Sequence, residues 1–228
     1  MLYEKSGLLY GLHNAKLSVR KQNQCVVVEG YTDVIMAHQV GFENTVAASG
    51  TALTSQHLVI LKRYSENLVL AFDMDVAGDS ATKRGINNAE AQGFNIKIVG
   101  SYGDGEKKSD PADIILKDPK IWEASVNKAK SIMDYYVDSA FAHANSATPE
   151  GKKEIGKIVL PAIKRLVNNI EQAHWIKVLA EKLGVNEEVI VQELAKIKEE
   201  KTYHREEPVS LPPAIVSAPQ NQRKKLLE

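Results

Sequence analysis

The sequence predicts an α/β fold with a mostly parallel sheet and flanking helices, followed by a region built from helices alone. Up to about residue 118, short β-branched or apolar runs alternate with stretches of helical periodicity, as they do in βαβ units. From about Trp122 onward the strand-like runs stop, and apolar residues recur at helical spacing. Together, these two patterns divide the chain into an α/β part and a helical part.

The elements of the first half follow from the apolar runs and from the residues that end them. Strands are predicted over the apolar runs 24–29, 45–48, 67–72 and 96–99. Helices are predicted over the stretches 33–40, 55–64 and 77–92. Gly41 and Gly93 end the first and third of these helices, and Thr54 is the predicted N-cap of the second.

The second half is predicted to contain helices, with Pro149 at a position where a helix can begin. These helices are predicted at 131–144, 152–168, 171–183 and 187–199. The predicted organisation is a lead-in (1–23), an α/β domain (24–118), a helical subdomain (119–200) and a flexible tail or linker (201–228). The tail contains four of the eight prolines, which favours an irregular segment.

Composition excludes several classes of protein. The 228 residues include 29 basic and 29 acidic side chains, and this balance argues against a strong non-specific nucleic-acid binder without excluding a local site. The single cysteine, Cys25, rules out a disulfide framework and a cysteine zinc cluster, so no zinc is expected. Because no apolar run reaches about 18 residues and no signal-like N-terminus is present, we expect a cytoplasmic protein without membrane contact.

Carboxylates are concentrated where the predicted strands end. Glu29 ends the first strand and Asp33 follows at the next helix, while Asp73 and Asp75 follow the third strand with a spacing that points both to one side. After the fourth strand, a loop carries Asp110 and Asp113. Because ligands of open parallel sheets bind outside the carboxyl ends of the strands, we expect these acids to surround one crevice.

So many like charges require a neutralising cation. Oxygen ligands together with substrate phosphates suit Mg²⁺, or Mn²⁺ in its place. Two such ions can activate a hydroxyl nucleophile and stabilise a leaving pyrophosphate. Gly78 opens the helix after the third strand, where free backbone N–H groups can face a phosphate. Lys83 and Arg84 on that helix can also attract phosphate.

Each of these signals has an ordinary alternative. A lone D-x-D is most often a pair of solvated loop carboxylates, and Ser49-Gly50-Thr51 can equally form a plain turn or line a nucleotide site. The combination of an acid after one strand, paired acids after another and a D-P-A-D loop after a further strand carries the interpretation.

These residues resemble the Toprim domain, specifically that of the bacterial replicative primases (DnaG-type). The resemblance covers roughly residues 9–118 and rests on VVVEGYTDVIMAHQVGFENTVAASGTALTSQHL, LVLAFDMDVAGDSATKR and KKSDPADII. It implies a Rossmann-like Toprim fold and a magnesium-dependent nucleotidyltransferase. Such an enzyme synthesises RNA primers from NTPs on single-stranded DNA at the replication fork.

The resemblance also implies residue roles. Glu29 would be a general base or metal partner, Asp73 and Asp75 would be metal ligands, and Asp33 and Asp110 would belong to the wider acidic cluster. Ser49, Gly50 and Thr51, together with Gly78, Lys83 and Arg84, would line the nucleotide site. Where the family often has D-P-D, this chain has Asp110-Pro111-Ala112-Asp113, so Asp113 is expected to replace the second acid from the next position.

Two parts of the family are not found in the sequence: the zinc-binding module and the basic subdomain that holds the template. We also expect the domain that contacts the replicative helicase to lie outside the chain, beyond the tail. The alternatives are a truncated Toprim protein that binds metal, nucleotide or partner domains without catalysis, and a Toprim nuclease.

Overall fold

The structure is a computed structural model that describes residues 7–48, 53–71, 80–100 and 110–197. Its strands are β1 (Cys25–Val28), β2 (Thr45–Ala47), β3 (Asn67–Leu70), β4 (Asn95–Ile98) and β5 (Lys130–Ser131). They form one sheet in the order β2-β1-β3-β4-β5. Strands β1 to β4 are parallel, and β5 is antiparallel to β4. The predicted mostly parallel α/β fold is therefore confirmed.

Helices flank this sheet and continue after it. They are α1 (Leu12–Gln22), α2 (Tyr31–Gln39), α3 (Ser55–Leu61), α4 (Ser80–Ala91), α5 (Pro111–Lys117), α6 (Pro119–Asn127), α7 (Ile132–His143), α8 (Pro149–Arg165), α9 (Asn169–Leu183) and α10 (Glu187–Lys196). Among the described residues, no helix is both long enough and apolar enough to cross a membrane.

Several predicted end signals are confirmed. The Thr54 hydroxyl accepts a hydrogen bond from the backbone N–H of His57 (3.1 Å) and so caps α3. Pro149 lies in the first turn of α8, where its missing N–H costs nothing. Gly41 and Gly93 both adopt the left-handed conformation, with φ of +92° and +73°, just after α2 and α4.

Three helices and one strand were not predicted from the sequence. The predicted lead-in contains α1, whose apolar pattern is weak because only Ala15 and Val19 of this helix are buried. The prediction of helices alone after Trp122 is wrong at β5, a two-residue edge strand that is too short for any periodicity. The short helices α5 and α6 lie in a stretch that the apolar pattern left unassigned.

The two faces of the sheet are covered by different helices. Cys25 and Val27 of β1 face a large core that includes side chains of α1, α3 and α4 and continues into α7–α10, as far as Leu194. Val26 and Val28 face a smaller core formed with α2, α5 and α6.

Burial raises the pKa of the Cys25 thiol to about 12, so the cysteine acts as a small apolar residue. The four-segment division of the chain stays a prediction.

A polar contact joins α4 to the helices that follow the sheet. The Arg165 guanidinium of α8 donates to the Glu90 carboxylate (Nε–Oε2, 3.2 Å), to the Pro161 carbonyl (3.2 Å) and to the Tyr136 hydroxyl (3.4 Å). Burial raises the pKa of Glu90, and Arg165 partly opposes that effect. Burial also raises the pKa of Tyr136 to about 12. The cluster therefore pairs a largely buried carboxylate with its cation.

We expect Arg165→Met to destabilise the protein by about 2 kcal/mol near neutral pH, because it leaves the Glu90 carboxylate buried without a cation. Without Arg165 the pKa of Glu90 rises further. When the pKa of a carboxyl group is higher in the folded state than in the unfolded state, the protein loses stability as the pH rises through the folded-state pKa. The loss should therefore shrink below the ordinary glutamate pKa of 4.5. Urea unfolding across this pH range measures it.

Glu90→Gln in the Arg165→Met background is the matched control for this prediction. It removes the buried charge, so it should recover part of the lost stability and abolish the pH dependence. Equal destabilisation by Arg165→Met at all pH values would show that the arginine acts through packing alone.

Candidate active site at the carboxyl edge of the sheet

The order of strands creates a crevice between the carboxyl ends of β1 and β3. After β1 the chain passes through α2, on one face of the sheet, to β2. After β3 the chain continues to α4 on the opposite face, and then to β4. Connections that leave neighbouring strands toward opposite faces open a ligand crevice at that edge.

Glu29 lies at this crevice. It follows directly after the fully buried β1, and its side chain is exposed. The next residue, Gly30, is extended (φ −102°, ψ 153°) and begins α2. Glu29 thus occupies the carboxyl end of a central strand, as the sequence predicts.

The neighbouring strand β3 also ends at this edge of the sheet. Ala71, just after β3, donates its N–H to the Val27 carbonyl of β1 (2.9 Å). Adjacent strands are about 4.8 Å apart, so Ala71 lies beside the carboxyl end of β1, close to Glu29. Asp73, Asp75 and Gly78, and likewise Ser49, Gly50 and Thr51, lie outside the described residues.

Asp33 connects two helices through its carboxylate. Its Oδ2 accepts from the N–H of Gly30 (3.0 Å), closing a capping box at the start of α2. Its Oδ1 accepts from the N–H of Ala112 (3.1 Å) in the first turn of α5. Asp33 is buried, and burial raises its pKa, with smaller contributions from Asp110 and Asp113. Both oxygens are used by backbone donors, which favours a positioning role.

The D-P-A-D loop therefore forms the start of α5, with Asp110 as N-cap and Pro111 in the first turn. Asp110 and Asp113 are both exposed, and Asp110 makes no side-chain capping bond. Ala112, at the position where the family often has an acid, contributes its backbone N–H to Asp33 instead. The three carboxylates are near enough for Asp110 and Asp113 to affect the titration of Asp33.

Lys83 and Arg84 lie near the N-terminal end of α4, and both side chains are exposed. The next residue, Gly85, approaches Leu53 closely: a Cβ at Gly85 would meet the Leu53 carbonyl oxygen at 3.0 Å. Gly85 therefore lets α4 pack against the chain that enters α3. The sequence pattern does not indicate this role of Gly85, because the close approach depends on how α4 packs in the folded protein.

The structure also places two exposed tyrosines beside Glu29. Tyr10 is fixed by backbone hydrogen bonds in both directions with Ala47 (2.9 and 3.1 Å), and Tyr31 lies in the first turn of α2. Their rings meet edge to face with centroids 6.0 Å apart. Exposed aromatic rings of this kind can stack with nucleobases. The bridge between Tyr10 and Ala47 of β2 holds Tyr10 near the start of α2, where Tyr31 lies.

The described residues do not by themselves form a metal site. Within the described ranges, no three His, Cys, Asp or Glu side chains converge to hold an ion. The exposed Glu29 carboxylate is a hard oxygen donor of the type that Mg²⁺ prefers. The chemistry of the donors at this edge therefore fits a divalent cation of that class.

Comparison with known families agrees with the fold. Residues 26–115 match a family described as Toprim-like. Residues 133–188 match a family described as the DnaB-helicase binding domain of primase.

Individual relatives extend the similarity over most of the chain. A DNA primase from Clostridium acetobutylicum is 35% identical over 190 residues, which cover 83% of this chain and 31% of the relative. A solved DNA primase domain from Pseudomonas aeruginosa has a TM-score of 0.68 at 27% identity, with 85% of this chain and 61% of that chain covered. A DnaG primase catalytic domain bound to ssDNA has a TM-score of 0.67 at 27% identity, covering 82% and 60%.

The sheet, its crevice and the first family match define a Toprim-like protein. With the primase relatives added, the chain belongs to the DnaG-type primases, of which it is the Toprim region. It spans about a third of the length of the curated relatives that it matches.

One prediction about partners needs correction. The helicase-binding domain was expected outside the chain, but residues 133–188, from α7 into α10, match the family of that description. The same region also resembles the primase core. A solved DnaG catalytic core matches 83% of this chain, which is more than the part before α6 can supply. Sequence periodicity identified these helices without indicating a partner.

We expect Asp33→Ala to destabilise the protein by about 2 kcal/mol, because it leaves the N–H groups of Gly30 and Ala112 without their acceptor. Asp33→Asn keeps one acceptor oxygen and should cost less. Thermal unfolding measures both, and Mn²⁺ binding measured on the same variants tests the predicted ligand role. If Asp33→Asn weakens metal binding as strongly as Asp73→Asn, Asp33 is a ligand and the positioning role is wrong.

Proposed function

We propose that this chain is the catalytic Toprim part of a primase. The reaction is transfer of a nucleotidyl group from an NTP to the 3′-hydroxyl of a growing RNA primer on single-stranded DNA, with release of pyrophosphate. The 3′-hydroxyl gives up its proton to solvent, its oxygen forms a bond to the α-phosphorus, and the bond from that phosphorus to the pyrophosphate oxygen breaks.

One observation carries the proposal. Glu29 is exposed at the carboxyl end of β1, beside Ala71 at the end of the adjacent strand β3, and Asp73 and Asp75 follow Ala71 in the sequence. A crevice between two strands with oppositely directed connections is where α/β proteins bind nucleotides. The relatives named DNA primase make nucleotidyl transfer the best-supported chemistry for such a crevice.

The proposed metal ligands are Glu29, Asp73 and Asp75. When bound, Mg²⁺ would supply Lewis-acid activation of the 3′-hydroxyl and neutralise charge on the phosphates. Asp110 and Asp113 add negative potential that favours cation binding. Asp33 keeps α2 and α5 in register, so that Glu29 and Asp110 stay at the same edge.

The cationic side chains have a different role. Lys83 and Arg84 are exposed near the start of α4, the helix that follows the D-M-D segment in the chain. Their charges would bind the triphosphate and stabilise the negative charge that develops on the leaving pyrophosphate. No proton transfer by these residues is required.

We expect Asp73→Asn, Asp75→Asn and Glu29→Gln each to lower primer synthesis by at least about 100-fold while leaving the thermal unfolding midpoint nearly unchanged. The assay follows incorporation of labelled NTPs on single-stranded DNA. It uses the chain alone and the chain mixed with a separately supplied N-terminal primase region.

Glu181→Gln is the matched control, because it neutralises an exposed acid of α9 that lies in the helical region. It should leave synthesis unchanged. Primer synthesis at the original rate in Asp73→Asn or Asp75→Asn would refute the assignment. Magnesium-dependent DNA cleavage without use of NTPs would favour a Toprim nuclease instead.

We further propose that residues 133–188 contact a replicative helicase of the DnaB type. The description of the matching family supports this role. At the turn between α8 and α9, Val167 and Ile170 are 94% and 82% exposed, more than any other large apolar side chain among the described residues. Exposed apolar residues that lie close together are a common feature of protein-binding surfaces.

We expect Val167→Ser combined with Ile170→Ser to weaken binding of the helicase hexamer by about tenfold or more, because it removes two apolar anchors. Fluorescence anisotropy of a labelled chain measures the affinity. Leu17→Ser is the control: Leu17 is 70% exposed on α1, outside the matched segment. Equal weakening by the control would argue against this surface.

A further inference from the structure

A cavity of about 680 Å³ lies between α6 and α7, apart from the crevice at Glu29. One wall is a single face of α6, including Lys120, Ile121 and Lys128, and the other is a single face of α7, including Tyr135 and Ser139. Gly100, just after β4, also lines it. Volumes of this size are typical of pockets that hold a small organic ligand.

The charged part of the lining consists of three lysines and one carboxylate, that of Asp138. Lys120, Lys128 and Lys130 all line the cavity, and all three are exposed. Lys130 donates to the Asp138 carboxylate (2.5 Å), and this hydrogen bond raises the pKa of Lys130. Lys120 and Lys128 make no ion pair with any described residue. Two ammonium groups are therefore left to attract an anion.

Apart from Gly100 and the hydroxyls of Ser125 and Ser139, the uncharged lining is apolar and includes an aromatic ring. Ile121, Ala124 and Ala142 contribute aliphatic surface, and the half-buried Tyr135 contributes its ring. A small inorganic anion would leave this surface uncovered. A ligand that fits both parts of the cavity carries anionic groups on a flat, largely apolar body.

We propose that the cavity between α6 and α7 is an accessory nucleotide site, which binds a nucleoside polyphosphate. Its phosphates contact Lys120 and Lys128, and its base lies against Tyr135. The cavity is separate from Glu29, because Gly100 follows β4, and β4 is separated from β1 by β3. Two strand spacings place β4 about 10 Å from β1 along the sheet.

The proposal does not depend on the catalytic role of the acidic edge. A nucleotide bound at the carboxylates needs a divalent cation to offset their charge, whereas the lysine-lined cavity does not. The two sites are therefore distinguished by binding measured in EDTA. Substitution of Asp73 or Asp75 should leave that binding unchanged.

The test is isothermal titration of the whole chain with ATP in EDTA. We expect Lys120→Gln combined with Lys128→Gln to weaken ATP binding at least about tenfold, because two charge-assisted phosphate contacts are lost. Lys153→Gln combined with Lys177→Gln removes the same charge from exposed positions on α8 and α9 and should change the affinity less than about twofold.

Tyr135 provides a second, independent readout. Tyr135→Ala should weaken ATP binding about fivefold or more through lost stacking, and should leave binding of inorganic tripolyphosphate unchanged. Tyr135→Phe keeps the ring and should retain ATP affinity. Thermal unfolding of every variant confirms that the fold is intact.

Several outcomes would overturn the proposal. These are no detectable ATP binding at millimolar concentration, equal loss in the control lysine pair, or tripolyphosphate binding as tight as that of ATP. If the lysine variants lose affinity for an oligothymidylate strand but not for ATP, the cavity belongs to a nucleic-acid path and the nucleotide assignment is wrong.

Discussion

Backbone pairing between β1 and β3 determines where the rest of the candidate site can lie. Val27 is paired with Leu70, and the N–H of Ala71 bonds to the Val27 carbonyl. Every residue of β1 is fully buried, with alternate side chains in two different cores. A slip of one residue would exchange the two faces and disrupt both cores, so the register is strongly fixed. The position of Glu29 relative to the chain after β3 follows directly from that register.

The acidic edge contains a carboxylate that serves structure. Burial and the nearby Asp110 and Asp113 all raise the pKa of Asp33, and so oppose its charge. The two backbone N–H groups bound to Asp33 act in the other direction and stabilise the carboxylate. Because these donors begin two different helices, the same interaction that offsets the charge also fixes α5 against α2. Carboxylates beside a cation site can therefore be required for its geometry without being ligands.

Local patterns in the sequence predicted most of the sheet and the helices that connect it. The runs QCVVVE and NLVLAF contain consecutive apolar residues because the side chains on both faces of β1 and β3 are buried. The apolar runs therefore predicted these strands. The pattern fails where an element buries little, as in α1, or spans two residues, as in β5. It also fails for long-range polar contacts: Glu90 and Arg165 are 75 residues apart, and no local spacing relates them. For Asp33, the sequence indicated the place but not the backbone partners that occupy its oxygens.

Helix α4 contacts both the chain that enters α3 and helix α8 of the helical region. Near the middle of the helix, Gly85 allows close contact with Leu53, and near the C-terminal end Glu90 binds Arg165 of α8. A helix rises about 1.5 Å per residue, so the two contacts hold α4 at points about 8 Å apart along its axis. Rotation or sliding of α4 would break one contact or the other. Lys83 and Arg84 lie on the same helix as Gly85 and Glu90, so their position depends in part on Arg165, which lies in the segment that matches the helicase-binding family.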